Sequence, residues 1–148
     1  MAERGVHDIN PGAIVIRTSA FFGPWDRYNF VDYALRELRR GQPFSAPDDI
    51  TISPTYVPHL VHATLDLLID DEDGIWHLAN KGAITWFEFA REAAIRSGLD
   101  KALIVPVKFN HARAIRPVYS ALDSERGNLM PSLDRALSCY FAEKKTPA

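Results

Sequence analysis

The chain has 148 residues, of which 47% are hydrophobic and 24% charged, and this is the composition of one globular domain. A net charge of −2 without any basic run excludes a general nucleic-acid-binding protein. The single cysteine excludes an internal disulfide framework, and no apolar run reaches membrane-spanning length. Because no signal-peptide pattern is present, we expect a cytoplasmic protein without a membrane partner.

Helices and strands are predicted to alternate in the first half of the chain. Residues 2–8 are predicted to end a helix, and residues 10–12 have turn composition. Residues 13–18 are apolar and β-branched, which predicts a strand buried on both faces. Helical spacing predicts a helix from residue 30 to Gly41, and residues 43–53 read as extended. A second helix is predicted over residues 57–69, with its apolar side formed by Leu60, Val61, Thr64, Leu65 and Leu68.

The same alternation continues in the second half. A turn at residues 70–74 precedes a strand at residues 75–78. Thr85 and Glu88 have the spacing of a capping box, which predicts a helix ending at Gly98. The apolar residues expected on that helix are Trp86, Phe89, Ala90, Ala93 and Ile95. A strand is predicted at residues 103–107, and Ser132 is expected to cap a last helix with Leu133, Leu137 and Tyr140 on its apolar side. This order of elements predicts an α/β fold.

Short motifs follow one another along nearly the whole chain. They are Arg17-Thr18-Ser19 with Gly23, Asn29-Phe30-Val31, Ser53-Pro54-Thr55-Tyr56, Gly74-Ile75-Trp76-His77-Leu78, Thr85-Trp86-Phe87-Glu88-Phe89-Ala90 and Arg116-Pro117-Val118-Tyr119-Ser120 with Leu122-Asp123. This ordered set resembles the C-terminal part of dTDP-4-dehydrorhamnose reductases, members of the extended short-chain dehydrogenase/reductase superfamily. The resemblance implies the C-terminal portion of an NAD(P)-binding Rossmann fold, interleaved with a small sugar-nucleotide-binding lobe, within one fragment over residues 1–148.

Two hallmarks of that superfamily are missing from this sequence. There is no Gly-rich turn to receive a pyrophosphate, and the resemblance implies that the catalytic Tyr-x-x-x-Lys pair lies before residue 1. Tyr140 and Lys144 have the same spacing, but they fall in the last predicted helix. We interpret them as a core-facing tyrosine and a solvated lysine, and we expect no catalytic residue in this chain.

The turn Thr18-Ser19-Ala20 follows the first predicted strand. Ligands of open α/β sheets bind at the carboxyl ends of strands, and the resemblance places this turn beside the nicotinamide of NADPH or NADH. An ordinary strand-to-loop turn is the alternative. Family members often carry an aromatic residue where Ala20 stands, and Trp25 could fill part of that space.

The resemblance also implies residues that bind a nucleotide-diphospho-sugar. Asn29 and Phe30, with Pro54 and Thr55, could bond sugar hydroxyls and cover a ring face. Alternatively, Asn29 is a helix N-cap and Phe30 belongs to the core. Arg116 matches the family's Arg-Pro element, and a guanidinium binds a diphosphate bidentately, although a structural ion pair is equally open.

A second arginine and the histidines of one predicted helix are weaker candidates. Arg113 has only its proximity to Arg116 in its favour as a diphosphate ligand. His59, His62 and Asp66 fall at helical spacing, but two surface histidines are favoured over a metal site.

The function implied for the complete protein is reduction of a 4-keto group on a nucleotide-linked deoxysugar, with NADPH or NADH as hydride donor. We expect the fragment alone to be inactive and to bind no cofactor tightly. The missing Rossmann half is its expected partner, and its open strand edge makes a homodimer possible. Alternative functions are a non-catalytic regulatory or binding subunit of the same fold, or a nucleotide-sugar epimerase or dehydratase.

Overall fold

Short strands and longer helices alternate in this computed structural model, which describes residues 2–109 and 116–145. The elements in chain order are α1 (Ala2–Ile9), β1 (Ile14–Arg17), β2 (Phe21–Phe22), α2 (Phe30–Arg39), β3 (Phe44–Pro47), β4 (Thr51–Ile52), β5 (Thr55–Tyr56), α3 (Val57–Ile69), β6 (Gly74–His77), β7 (Ile84–Thr85), α4 (Trp86–Arg96), β8 (Ile104–Val107), β9 (Tyr119–Ser120) and α5 (Leu133–Lys145). The predicted α/β class is confirmed. Within the described ranges, no helix has the length and apolar character needed to cross a membrane.

Most strand pairs in the described residues are parallel. β1 pairs with β6, β2 with β5 and β3 with β8, each in parallel. A fourth sheet has three strands in the order β7-β4-β9, in which β4 is parallel to β9 and antiparallel to β7. The segment predicted as extended, residues 43–53, contains β3 and β4. The two-residue strands β2, β5, β7 and β9 escape sequence prediction, because they are too short to show an alternating pattern.

Helix ends follow the capping pattern in the sequence. Thr85 Oγ1 accepts a hydrogen bond from the Glu88 backbone N–H at 3.1 Å, and the Glu88 carboxylate accepts one from the Thr85 N–H at 3.1 Å. This reciprocal pair is the predicted capping box. Ser132 Oγ accepts from the Arg135 N–H at 3.2 Å, so it caps α5 as expected.

The main core is built around the ring of Phe22. Its centroid lies 5.3 Å from that of Tyr56, 5.4 Å from that of Phe89 and 5.7 Å from that of Tyr140. All four rings are buried, and they come from β2, β5, α4 and α5. Tilted and edge-on ring pairs of this kind add to the stabilisation from burial alone. This cluster therefore joins four segments that are distant in sequence.

A second, smaller core lies between α3 and the β1–β6 pair. Its buried members are Ala63, Leu67, Trp76, Leu78 and Met130. The bounds predicted for α3 are confirmed, but the apolar side is wrong in part, because Val61, Leu65 and Leu68 are about half exposed. The apolar arc of α3 is wider than the strip that β1 and β6 can cover. In α4, similarly, Ala94 is buried and the expected Ile95 is half exposed.

The C-terminal end of α5 is tied to the rest of the chain by two polar contacts. The Tyr56 hydroxyl donates a hydrogen bond to Glu143 Oε1 at 2.6 Å. Lys144 Nζ lies 2.6 Å from Asp32 Oδ1. Lys144 is exposed, as expected of a solvated lysine, but its side chain also forms an ion pair with α2 that the sequence did not predict.

We expect the free edge of β1 to drive self-association of the isolated chain. Within the described residues, β1 pairs with β6 alone, and the apolar Ile14, Val15 and Ile16 stay half-buried. An exposed edge with apolar side chains pairs with other chains. Light scattering should show mass rising with concentration, and Val15→Lys should reduce this rise. A monomer at every concentration, with no binding of an apolar dye, would contradict the prediction.

Candidate functional site

Two of the predicted ligand-binding segments meet at the carboxyl end of β1. The Thr18 hydroxyl donates a hydrogen bond to Thr55 Oγ1 at 3.2 Å, although the two residues are 37 positions apart. The Thr55 backbone N–H also donates to the Ala20 carbonyl at 3.0 Å. Thr55 is fully buried, whereas Thr18 is half-buried. The turn expected beside the cofactor and the segment expected beside the sugar are thus in direct contact.

The backbone at Ala20 has an uncommon conformation. Its φ of 46° lies in the left-handed region, which few residues other than glycine adopt. This turn lets the chain leave β1 and enter β2 after only three residues, 18–20. Ser19 and Ala20 are half-buried, so the turn stays partly open to solvent.

Asn29 is a helix N-cap with all its polar atoms engaged. Its Oδ1 accepts from the Asp32 N–H at 3.0 Å, while its Nδ2 donates to the carbonyl oxygens of Gly23, at 3.1 Å, and Asp26. Phe30 packs on Phe44, Trp86 and Phe89. Asn29 thus has the contacts of a helix N-cap, and Phe30 has those of a residue packed against the core, as the alternative interpretation stated. Binding of sugar by either residue stays a prediction.

A buried amide that sequence reasoning missed holds the strand that carries Thr55. Asn80 Oδ1 accepts from the Tyr56 N–H at 2.7 Å, and its Nδ2 donates to the Pro131 carbonyl at 2.9 Å. Nothing in the sequence distinguishes this asparagine from a surface one. On the other side of Thr55, Pro54 is fully buried, and Ser53 Oγ accepts from the Leu122 N–H at 3.0 Å. The residues on both sides of Thr55 are therefore held in place, Tyr56 by a hydrogen bond to Asn80 and Pro54 by burial.

A cavity of about 360 Å³ opens beside this segment. It lies where β4, β6 and β9 reach their carboxyl ends, which is where ligands of α/β sheets bind. Its lining includes Ser53, His77, Lys81, Tyr119, Leu122 and Asp123. The volume is at the lower end of small-molecule pockets, so it has room for part of a nucleotide sugar. None of these residues was predicted to bind ligand, although Ser53 directly precedes the predicted Pro54 and Thr55.

Arg116 is not brought into this site. It is exposed and precedes β9, and its guanidinium carbon lies 5.9 Å from the centre of the Phe109 ring. Because β9 is parallel to β4, Arg116 lies at the opposite end of that sheet from Ser53. Arg116 belongs to none of the ion pairs formed between described residues. The alternative of a structural ion pair therefore has no support among those residues. Arg113 lies outside the described residues.

The Tyr140–Lys144 pair does not have the electrostatics of a proton donor. Burial and, with a smaller effect, the Asp32 carboxylate raise the pKa of Tyr140 to about 12. A catalytic tyrosine needs the opposite shift. Tyr140 is fully buried in the core, which confirms the core-facing interpretation.

The histidines of α3 do not form a metal site. The His59 ring packs edge-on against Tyr56, with centroids 4.9 Å apart, and its Nδ1 lies 3.2 Å from Asn80 Nδ2. Burial, with a smaller effect from His62, lowers the pKa of His59. In the part of the chain that the structure describes, no three potential metal ligands come together.

Comparison with known proteins identifies the family. The family model for the RmlD substrate binding domain matches residues 1–133. The chain belongs to this family. The resemblance predicted from the motifs is therefore confirmed, and the family match covers the two threonines of the site.

Curated relatives cover most of this chain. The spore coat polysaccharide biosynthesis protein SpsK of Bacillus subtilis is 34% identical over 137 residues, covering 89% of this chain and 48% of the relative. The dTDP-4-dehydrorhamnose reductase of Mycolicibacterium smegmatis is 34% identical over 128 residues, covering 84% of this chain and 39% of that enzyme. The chain thus spans about half the length of the curated relatives it matches.

Solved structures agree with these relatives. The dTDP-4-dehydrorhamnose reductase of Bacillus anthracis in complex with NADP superposes with a TM-score of 0.84 at 29% identity, over 95% of this chain and 51% of that one. A Clostridium acetobutylicum homologue of that reductase, 22% identical, superposes with a TM-score of 0.86 over 97% of this chain and 53% of that one, and supports the fold alone. The fold is therefore that of about half of a Rossmann-type reductase.

Proposed function

We propose that this chain is the substrate-binding portion of an NADPH-dependent reductase acting on a dTDP-linked 4-keto deoxysugar. The observation that carries this proposal is the Thr18–Thr55 hydrogen bond, which joins the end of a parallel strand to the segment predicted to contact the sugar, within the region that the family model matches. Reductases of this type must hold a sugar carbonyl within contact distance of a hydride donor. A site built where strand and lobe meet suits that task.

In this proposal, different residues contact different parts of the substrate. Thr18, Ser19 and Ala20 form the wall beside the reacting carbonyl. Pro54 and Thr55 shape the sugar-binding floor, with Asn29 and Phe30 supporting the next turn. Arg116, at the far end of the β4–β9 pair, grips the diphosphate, which is remote from the carbonyl. The chain's contribution is to orient the sugar.

The residues fit only one end of a dinucleotide. The half-buried Thr18 hydroxyl, at the carboxyl end of β1, suits the amide of a nicotinamide. The sequence has no Gly-rich turn to receive the pyrophosphate. When bound, the dinucleotide supplies the hydride. We therefore propose that its phosphates are held by a further Rossmann half, whose parallel strand pairs with the open edge of β1.

An assay of the purified 148-residue chain tests whether this chain binds the substrate but supplies no hydride-donor site. We expect no NADPH oxidation above buffer with dTDP-4-keto-6-deoxymannose, because the chain lacks the hydride-donor site and the proton donor. Calorimetric titration should detect binding of dTDP-L-rhamnose, the stable reduced sugar nucleotide, and no tight binding of NADPH. Clear turnover would contradict the proposal that this chain supplies neither the hydride-donor site nor the proton donor. Absence of dTDP-L-rhamnose binding would overturn the substrate-binding role.

A further inference from the structure

Two consecutive phenylalanines of β2 have opposite environments. Phe22 is 1% exposed, whereas Phe21 is 54% exposed. Successive side chains of a strand point to opposite faces. Because Phe22 is anchored among Tyr56, Phe89 and Tyr140, Phe21 is held facing away from the core.

The strand register places the open ring on the face of the candidate site. Phe21 is opposite Thr55 and Phe22 is opposite Tyr56 in the parallel β2–β5 pair. The rings of Phe22 and Tyr56 meet on one face, so Phe21 and Thr55 share the other. Thr55 is the residue that accepts the hydrogen bond from the Thr18 hydroxyl. The exposed Phe21 ring thus lies on the same face of the β2–β5 pair as Thr55.

The turn before Phe21 fixes how the chain enters β2. Ala20 packs against the main core, and its left-handed φ of 46° turns the chain directly into β2. The hydrogen bond from the Thr55 N–H to the Ala20 carbonyl, at 3.0 Å, fixes the register of the ring against the threonines. The candidate site therefore combines the half-buried Thr18 hydroxyl with one exposed aromatic ring.

We propose that Phe21 determines specificity for 6-deoxysugars by packing its ring against the C6 methyl group of the substrate; this rests on the proposed function. A 6-deoxyhexose differs from its parent sugar in having a methyl where the parent has a hydroxymethyl group. Burying a methyl against an aromatic ring is favourable, whereas burying a hydroxyl there without a partner is costly. A hydrophobic contact of this size discriminates by about tenfold to a hundredfold.

The test is calorimetric titration of the 148-residue chain with three probes. They are dTDP-L-rhamnose, its 6-hydroxyl analogue dTDP-L-mannose, and dTDP alone. Wild-type chain should prefer the 6-deoxy sugar about tenfold or more, and Phe21→Ala should remove most of that preference while leaving dTDP affinity unchanged. Phe21→Leu should retain part of it. Tyr28→Leu is the matched control, because Tyr28 is also an aromatic residue but is 90% exposed on the following loop.

Saturation-transfer NMR gives a second readout. Irradiating aromatic protons of the wild-type chain should transfer saturation to the rhamnose methyl group, and Phe21→Leu should abolish that transfer while Tyr28→Leu preserves it. Unchanged sugar preference and unchanged methyl transfer in both Phe21 variants would overturn the Phe21 assignment alone. Failure of the wild-type chain to bind dTDP-L-rhamnose would overturn the proposed function and this inference with it.

Discussion

Phe22→Ala is expected to lower the free energy of unfolding of this chain by about 3–5 kcal/mol, the usual cost of truncating a buried phenylalanine. The reason is that Phe22 contacts the rings of Tyr56, Phe89 and Tyr140, so its loss leaves a cavity where β2, β5, α4 and α5 meet. The melting temperature should fall by about 10 °C or more. Thermal unfolding followed by circular dichroism measures the change.

Phe21→Ala is the matched control for this prediction. It removes the same ring from the same strand, but from the exposed face, so the free energy of unfolding should change by less than about 1 kcal/mol. Phe22→Leu keeps most of the apolar volume and should fall between the two. Equal destabilisation by Phe21→Ala and Phe22→Ala would show that the ring cluster is not the centre of the core.

Arg116→Lys should weaken binding of dTDP-L-rhamnose by about ten- to a hundred-fold. Lysine keeps the positive charge but loses the bidentate fork that matches a diphosphate. The melting temperature should stay the same, because Arg116 is exposed and belongs to none of the ion pairs between described residues. Calorimetric titration and a melting curve on the same variant measure both quantities.

Arg126→Lys provides the opposite control. The Arg126 guanidinium lies 4.0 Å from the centre of the Trp76 ring and 2.8 Å from Glu72, so it has a structural role. Its replacement should lower the melting temperature slightly and leave affinity for dTDP-L-rhamnose unchanged. If Arg116→Lys behaves in the same way as Arg126→Lys, then Arg116 does not bind the diphosphate.

The helices show which features of this fold follow from local sequence. α3 has the predicted bounds, and the capping residues Thr85 and Ser132 act as predicted, because periodicity and capping depend on neighbours three or four positions away. The buried side of α3 could not be predicted as well. Its apolar arc extends over Val61 and Leu65, and only the width of the β1–β6 pair decides which part is covered.

The candidate site likewise combines features that the local sequence predicts with features that only tertiary packing determines. Thr18 and Thr55 were each predicted to bind ligand, but for different ligands, because they belong to separate motifs. Their hydrogen bond depends on the β2–β5 register, which is a contact between distant segments. Asn80 gave no signal at all, since an asparagine becomes a structural anchor only when tertiary packing removes it from water.

The amino-acid sequence by itself determined the α/β class, the longer helices and strands, and the family, because each rests on local periodicity or on the order of short motifs. Only the tertiary structure decided that Phe21 is exposed while Phe22 fills the core, and that Lys144 pairs with Asp32 across 112 positions. Both outcomes depend on which distant segments pack together. Burial and charge pairing are properties of that packing, and the local sequence carries no record of it.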